Sequence, residues 1–204
     1  MPTFDESERH NFDVAFRSGS VGSKLFDELA PNADRQIAIP VLRGLTDDAT
    51  VVWTPGISDV GVRTLGRAAG ASTSGIWFEV PHQHRSSSGK GLKYRGIKAC
   101  YQVGTATVAD IVFELYKRTI PATGSAPGTP AIIAGQTNSE YDTAHDTAAE
   151  RVAVAEHVAV VTVPTAAQAY LADGEELLIR AKVVGSASGV VTLKDIVLLA
   201  TEAG

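Results

Sequence analysis

The central part of TVADIVFELYKRTI, residues 107 to 120, has a strongly apolar side chain at every second position. Ile111, Phe113 and Leu115 alternate with residues that tolerate a more solvated position. A period of two is the pattern of a β-strand that buries one face. In EELLIRAKVVG, residues 175 to 185, the pattern sets Arg180 and Lys182 on the face opposite the apolar series. We therefore predict a chain built from strands with one buried face.

The same signal recurs along most of the chain from residue 49 onward. About seven or eight strands are predicted, because runs rich in aromatic and β-branched residues are bounded by Gly, Pro and Ser. Besides the two runs above, these are ATVVWTP (49–55), GIWFEVP (75–81), GLKYRGIKACYQVG (91–104), RVAVAEHVAVVTVP (151–164) and GVVTLKDIVLLATEA (189–203). Between them, VGTAT, ADGEE and VGSASGV are typical of turns, and we expect hairpin connections there. No long helical pattern intervenes, so we predict an all-β, antiparallel two-sheet sandwich of jelly-roll type.

The first 48 residues differ in character from the remainder. Phe12, Phe16 and Phe26 are scattered among charges and Gly/Ser breaks, and no run is long enough to form a stable helix alone. We predict an N-terminal arm over residues 1–48, with short helices at most, followed by a sandwich domain over residues 49–204. Such an arm is expected to lie against its own body or a neighbouring subunit.

Composition narrows the function classes. The 204 residues carry a net charge of −5, which provides no overall attraction to nucleic acid or anionic membrane. Cys100 is the single cysteine, so no intrachain disulfide forms, and its apolar surroundings favour a buried structural thiol. A secretory signal pattern and a run of ~20 apolar residues are both missing. We expect a protein made in the cytoplasm without a membrane anchor, and we predict no cofactor.

Histidines provide one candidate metal site. His82 and His84 would project to the same side of an extended segment, and His145 or His157 could supply a third imidazole. Pro81 indicates that the strand ends before them, so solvated loop residues are the favoured interpretation.

A basic loop follows these histidines in HRSSSGKGLKYR. Arg85 and Lys90 suggest phosphate binding, but the phosphate-binding G-x-x-x-x-G-K-[ST] spacing is missing. We favour a loop that faces an acidic surface of a partner.

Acidic residues crowd SEYDTAHDTAAERV, residues 139 to 152. Asp142 and Asp146, with Asn138, could offer oxygen ligands to Ca²⁺, although the glycine of a regular calcium loop is missing. Turn capping by the two aspartates is favoured, and His145 lies between them in sequence. We interpret the stretch as the polar entry to a hairpin.

No nucleophile occurs in a recognisable catalytic motif such as G-x-S-x-G. The sequence therefore gives no positive evidence for catalysis, and we predict that the protein is not an enzyme.

The stretch YDTAHDTAAER, the following alternating strand and the YLADGE turn together resemble a recurrent pattern in tailed-bacteriophage virion proteins. The resemblance covers roughly residues 75–200. It implies a non-enzymatic β-sandwich that builds or decorates a virus particle and is located in the virion. We expect it to bind the major capsid protein, other virion proteins or its own copies, with a trimer as the favoured homo-oligomer and no nucleic acid or membrane partner.

The residues predicted to make these contacts combine the apolar arm with the two polar loops. They are Phe12, Phe16, Phe26, Arg85, Lys90, Asp142, His145 and Asp146. The alternative hypothesis is a carbohydrate-binding sandwich module on a phage fibre or spike, since exposed aromatic rings can form sugar platforms. The candidate rings are Trp53, Trp77, Tyr94, Tyr101, Tyr116 and Tyr170.

Overall fold

A computed structural model describes residues 33–80, 92–104, 106–120, 126, 128–140, 147–172 and 174–202. The strands are β1 (Ala33–Ile39), β2 (Leu45–Thr46), β3 (Trp53–Ile57), β4 (Arg63–Arg67), β5 (Thr73–Glu79), β6 (Leu92–Val103), β7 (Asp110–Thr119), β8 (Ala131–Ile132), β9 (Thr137–Glu140), β10 (Glu156–Thr162), β11 (Glu175–Val184) and β12 (Val191–Glu202). One short helix, α1 (Ala148–Arg151), and two 3₁₀ turns, Val41–Arg43 and Thr165–Ala167, complete the described elements.

The strands form two antiparallel sheets. The first has seven strands, in the order β3-β4-β12-β6-β10-β9, and β1 also pairs with β12. β4 lies opposite residues 191–193 of β12, whereas β1 lies opposite residues 196–202. The second sheet has five strands, in the order β2-β5-β11-β7-β8. The predicted antiparallel two-sheet β-sandwich is confirmed.

Apolar side chains from both sheets share one core. Ile111, Phe113 and Leu115 of β7 are almost completely buried, as the alternation predicts, while Arg180 of β11 faces the other way. On β6 of the opposite sheet, Tyr101 is fully buried and its ring lies 5.5 Å from that of Phe113. The period-two pattern of the sequence thus marks the inner face of each sheet.

The turns occur near the predicted positions, but they do not make hairpins. The turns before β7, β11 and β12 each connect strands that belong to different sheets. Gly and small polar residues favour a reversal of the chain, yet they do not determine whether the two strands pair or pack face to face. The hairpin prediction is therefore wrong at these three places.

Two strands lie in the segment that the sequence predicts to be an arm. β1 pairs along the last seven residues of β12, and β2 pairs with β5, so residues 33–46 contribute to both sheets. Their pairing partners are far away in sequence, and local pattern carries little information about such contacts. The remaining arm, residues 1–32, lies outside the described residues, and its role stays a prediction.

Candidate functional site

The eight predicted interaction residues lie outside the part of the chain that the structure describes. They are Phe12, Phe16, Phe26, Arg85, Lys90, Asp142, His145 and Asp146. His82 and His84 are also outside it. Their proposed roles stay predictions, and the candidate surfaces of the described chain consist of other residues.

His157 is placed where it cannot easily join a metal site. It is 3% exposed on β10, and its ring stacks on that of Tyr101 with centroids 4.9 Å apart. Its Nε2 lies 2.7 Å from the carbonyl oxygen of Ala153. The Tyr101 hydroxyl donates to the carbonyl oxygen of Arg151 at 2.8 Å, so both side chains fix the segment that follows α1. Among the described residues, no group of three or more His, Cys, Asp or Glu side chains is arranged to hold a metal.

The end of the acidic stretch forms a helix cap. Thr147 is the N-cap of α1; its hydroxyl accepts from the Glu150 amide, and the Glu150 carboxylate accepts from the Thr147 amide at 2.8 Å. This reciprocal pair is a capping box. α1 lies between β9 and β10, which pair with one another, and β10 starts only at Glu156. Residues 141–146 lie outside the described part of the chain, so the polar entry to a hairpin stays a prediction.

Cys100 differs from the buried thiol that the sequence predicts. It lies half-buried on β6, on the face opposite Ala99 and Tyr101, which point into the core. Partial burial is the main cause that raises the pKa of the thiol, and the negative charge of Asp195 acts in the same direction. A raised pKa reduces the thiolate fraction, so this cysteine has little nucleophilic character at neutral pH.

An aromatic pair occupies the solvent face of the five-stranded sheet. Trp77 of β5 and Tyr116 of β7 are half-buried, and their ring centroids lie 4.8 Å apart at 58°. The guanidinium carbon of Arg180 lies 5.3 Å from the Trp77 ring centroid, within the range of a cation–π contact. Leu178, on the same face, is only 5% exposed. We call the surface formed by Trp77, Tyr116, Arg180, Asp47 and Glu114 the aromatic face.

Hydrogen bonds fix the polar side chains of the aromatic face. Arg180 donates from Nε and Nη2 to Asp47 Oδ2, at 3.1 and 2.6 Å. The Gly75 amide donates to the other Asp47 oxygen at 2.5 Å, and a Cβ at Gly75 would collide with Asp47 and Arg180. Burial opposes the charged form of Arg180, but its hydrogen bonds, led by Asp47, raise its pKa overall. Because Gly75 has no side chain, it leaves the space that the ion pair of Asp47 and Arg180 occupies.

Glu114 completes the aromatic face. Its Oε2 accepts from the Tyr116 hydroxyl at 2.9 Å and lies 3.8 Å from Arg180 Nη1. Burial and then the interaction with Glu114 raise the pKa of Tyr116, so the phenol stays protonated and holds its donor on the carboxylate. The carboxylates of Asp47 and Glu114 thus flank the guanidinium of Arg180.

A second surface is formed by the hairpin of β3 and β4, in the seven-stranded sheet. At its turn the Ser58 amide donates to the Val62 carbonyl at 2.8 Å, and Gly61 adopts a φ of 80° that favours glycine. Ile57 and Val60 beside this turn are 75% and 85% exposed, and Val62 is also exposed. We call Ile57, Val60 and Val62 the hairpin tip.

The outer edge of β3 is protected against the addition of another strand. The amides of Ala68 and Ser58 donate across the hairpin to Val52 and Val62, and this register directs the backbone groups of Trp53, Pro55 and Ile57 to the outer edge. Pro55 has no N–H to offer a partner there. The hairpin is therefore suited to contact a partner through its side chains.

Sequence pattern identifies Trp77 and Tyr116 as candidates but misses the rest of both surfaces. Asp47 and Arg180 are 133 positions apart, and no local pattern predicts that they meet. The hairpin tip did leave a signal, because Ser58, Asp59 and Gly61 are turn-forming residues between WTPGI and RTLGR. Among the other aromatic candidates, Tyr94 and Tyr101 are buried and Trp53 packs partly against the core, whereas Tyr170 is exposed.

No protein-family model and no curated protein matches the chain. Among solved structures, it is similar to the enzymatically active domain of tailspike protein 4 of bacteriophage CBA120, with 14% identity and a TM-score of 0.35. The match covers 87% of this chain and 20% of that one. The chain thus spans about one fifth of the length of the structure it matches.

This comparison contradicts the prediction that the protein is not an enzyme, because the matched domain is described as enzymatically active. The prediction that the protein is not an enzyme is therefore withdrawn.

In the described part of the chain, no helix is both long enough and apolar enough to cross a membrane.

Proposed function

We propose that this chain is a component of a bacteriophage virion, a decorating or stabilising β-sandwich that attaches to other virion subunits through its hairpin tip. The resemblance of residues 75–200 to tailed-phage virion proteins supports the assignment to a particle. Attachment through the hairpin tip is supported by the exposure of Ile57 and Val60 at the end of an ordered hairpin. Clustered exposed apolar side chains are typical of protein contact sites.

The hairpin presents its tip rigidly. Gly61 and the Ser58 side chain fix the turn, since the Ser58 hydroxyl accepts from the Val62 amide at 3.1 Å. β4 is anchored in turn by its pairing with β12 in the middle of the sheet. An ordered apolar tip loses little conformational entropy on binding, which favours a specific contact with a pocket on another subunit.

The resemblance to tailed-phage virion proteins supports the choice of partners. They are the major capsid protein or further copies of this chain, with a trimer as the favoured assembly. Because Pro55 protects the edge of β3, we expect docking of side chains rather than a continuous intermolecular sheet.

The test uses virus particles assembled in the presence of the tagged full-length chain. We expect the chain to sediment with purified particles at a fixed ratio to the major capsid protein. The double variant Ile57→Ser, Val60→Ser should lose most of this association while keeping the wild-type circular dichroism spectrum. Val154→Ser is the matched control, because Val154 is an exposed apolar residue too, at 54%, but lies outside the hairpin.

Two results would separate the parts of the proposal. A wild-type chain that is absent from purified particles would refute the virion role. A double variant that sediments with particles as well as Val154→Ser does would refute attachment through the hairpin tip.

A further inference from the structure

We propose that the aromatic face is a binding site for a neutral saccharide. Sugar binding is a property beyond the virion role, and the aromatic face lies on a different sheet from the hairpin tip. The carrying observation is that Trp77 and Tyr116 meet at the solvent side of the five-stranded sheet and are bordered by fixed carboxylates and a guanidinium.

The two rings provide the apolar part of such a site. A pyranose ring has a face of C–H groups, and large rigid aromatic side chains cover apolar surface at a low cost in conformational entropy. Trp77 and Tyr116 keep part of their surface in solvent, although Leu178 in the same layer is buried. Exposed apolar neighbours, Leu45 and Ile132, extend the surface at its two ends, because they pair in register with Trp77 and Tyr116.

Asp47, Glu114 and Arg180 provide the polar part. Sugar hydroxyls both donate and accept, so a site needs acceptors and donors in fixed positions. Glu114 uses Oε2 for its bonds to Tyr116 and Arg180, and its Oε1 has no hydrogen-bond partner among the described residues. That oxygen is available to a sugar hydroxyl without breaking an existing bond.

The mutual hydrogen bonds of these side chains preorganise the site. Arg180 is held by two hydrogen bonds to Asp47, and Asp47 is held by the Gly75 amide. Groups that are already ordered lose less entropy when a ligand binds.

The charge of the site selects among saccharides. Two carboxylates face one guanidinium that is already paired with both of them. An acidic sugar would bring its carboxylate close to the carboxylates of Asp47 and Glu114, which is unfavourable at short range. The aromatic face is therefore expected to prefer neutral sugars to uronic acids.

The test uses Trp53→Phe protein, in which Trp77 is the single tryptophan and reports on the site. The probes are maltohexaose, cellohexaose, mannohexaose and galactohexaose, with hexagalacturonic acid as the acidic counterpart. We expect at least one neutral probe to change Trp77 fluorescence with saturation below about 10 mM, in the range of weak monovalent binding. Hexagalacturonic acid should bind more weakly than that probe.

Calorimetry with the same neutral probe then tests the residues in the wild-type background. Trp77→Ala and Glu114→Gln should each weaken binding by about tenfold or more, because both remove contacts central to the site. Glu79→Gln is the control, since Glu79 is an exposed carboxylate at the end of the same strand as Trp77. Circular dichroism confirms that each variant is folded.

The proposal is overturned if all four neutral probes leave the fluorescence unchanged, if the acidic probe binds best, or if binding survives Trp77→Ala. Since the hairpin tip lies on the other sheet, these results are independent of the particle association of the hairpin variants.

Discussion

Arg67 donates from Nε to the Ser74 hydroxyl at 2.8 Å, although the arginine side chain is completely buried. Its Nη2 donates to the carbonyl oxygens of Gly70 and Ser72, at 3.2 and 2.6 Å. Burial lowers the pKa of Arg67, and the nearby charge of Asp48 opposes this effect. Arg67, on β4 of the seven-stranded sheet, thus fixes the loop that connects β4 to β5 of the five-stranded sheet.

Replacing Arg67 should therefore destabilise the fold. Arg67→Met leaves the Ser74 hydroxyl and the carbonyl oxygens without their donor, and we expect a loss of about 3 kcal/mol or more in the free energy of unfolding. Urea denaturation measures this change. Arg63→Met is the control, because Arg63 is exposed on the same strand and should change stability by less than about 0.5 kcal/mol. A similar small effect for both variants would contradict the role of Arg67.

Gly96 allows two strands to approach closely. A Cβ at this position would collide with the backbone carbonyl of Val161 on β10. We expect Gly96→Ala to cost about 1–3 kcal/mol, as overpacking of a core does. At Gly66 an added methyl group would have its nearest neighbouring atom 3.7 Å away, so Gly66→Ala is the matched control and should be neutral or slightly stabilising. Thermal unfolding of both variants measures the difference, and equal melting temperatures would contradict the prediction.

Tyr101 should make the fold sensitive to alkaline pH. Burial raises the pKa of its hydroxyl well above the ordinary value, so the folded chain keeps the proton when an unfolded tyrosine has lost it. The stability that this difference in the pKa of Tyr101 contributes is fully present below about pH 10 and declines as the pH rises further. Tyr101→Phe should reduce this decline in urea denaturation between neutral and alkaline pH. At neutral pH it should cost about 1 kcal/mol, because the hydrogen bond to the Arg151 carbonyl is lost.

Tyr170→Phe is the control for this measurement, because Tyr170 is exposed. If Tyr101→Phe and Tyr170→Phe show the same alkaline profile as the wild type, Tyr101 does not contribute to the pH dependence.

Glu175 should contribute to the acid sensitivity of the fold. The hydrogen bond from Lys117, 2.7 Å away, and that from the Ala172 amide lower the pKa of Glu175. A lowered pKa provides stability above the unfolded value of about 4.3, and this stability is lost as the pH falls through the folded value. Glu175→Gln should therefore be less stable than the wild type at pH 7 by at most about 1 kcal/mol, since the pair is partly exposed. The difference should shrink at acid pH, and a constant difference in urea denaturation would contradict the assignment.

Strand pattern predicts the longest strands closely. β6, β7, β11 and β12 all follow from alternation and β-branched content, because each has one face in the core. The short strands β2, β4, β8 and β9 are missed, since two to five residues carry too little periodicity, and β1 is missed because it lies in the predicted arm. β10 begins later than expected because the capping box of Thr147 and Glu150 first forms a helical turn.

The sequence by itself determined that this protein is an antiparallel β-sandwich, which side chains of each long strand are buried, and where the chain reverses. These properties depend on alternation and turn chemistry, and both are local. Only the tertiary structure decided which strands pair, so that the chain crosses between the sheets where hairpins were expected. It also brought Asp47 to Arg180 and left Ile57 and Val60 exposed at the tip of the hairpin of β3 and β4. Contacts between distant residues depend on the register of whole sheets, which no short stretch of sequence specifies.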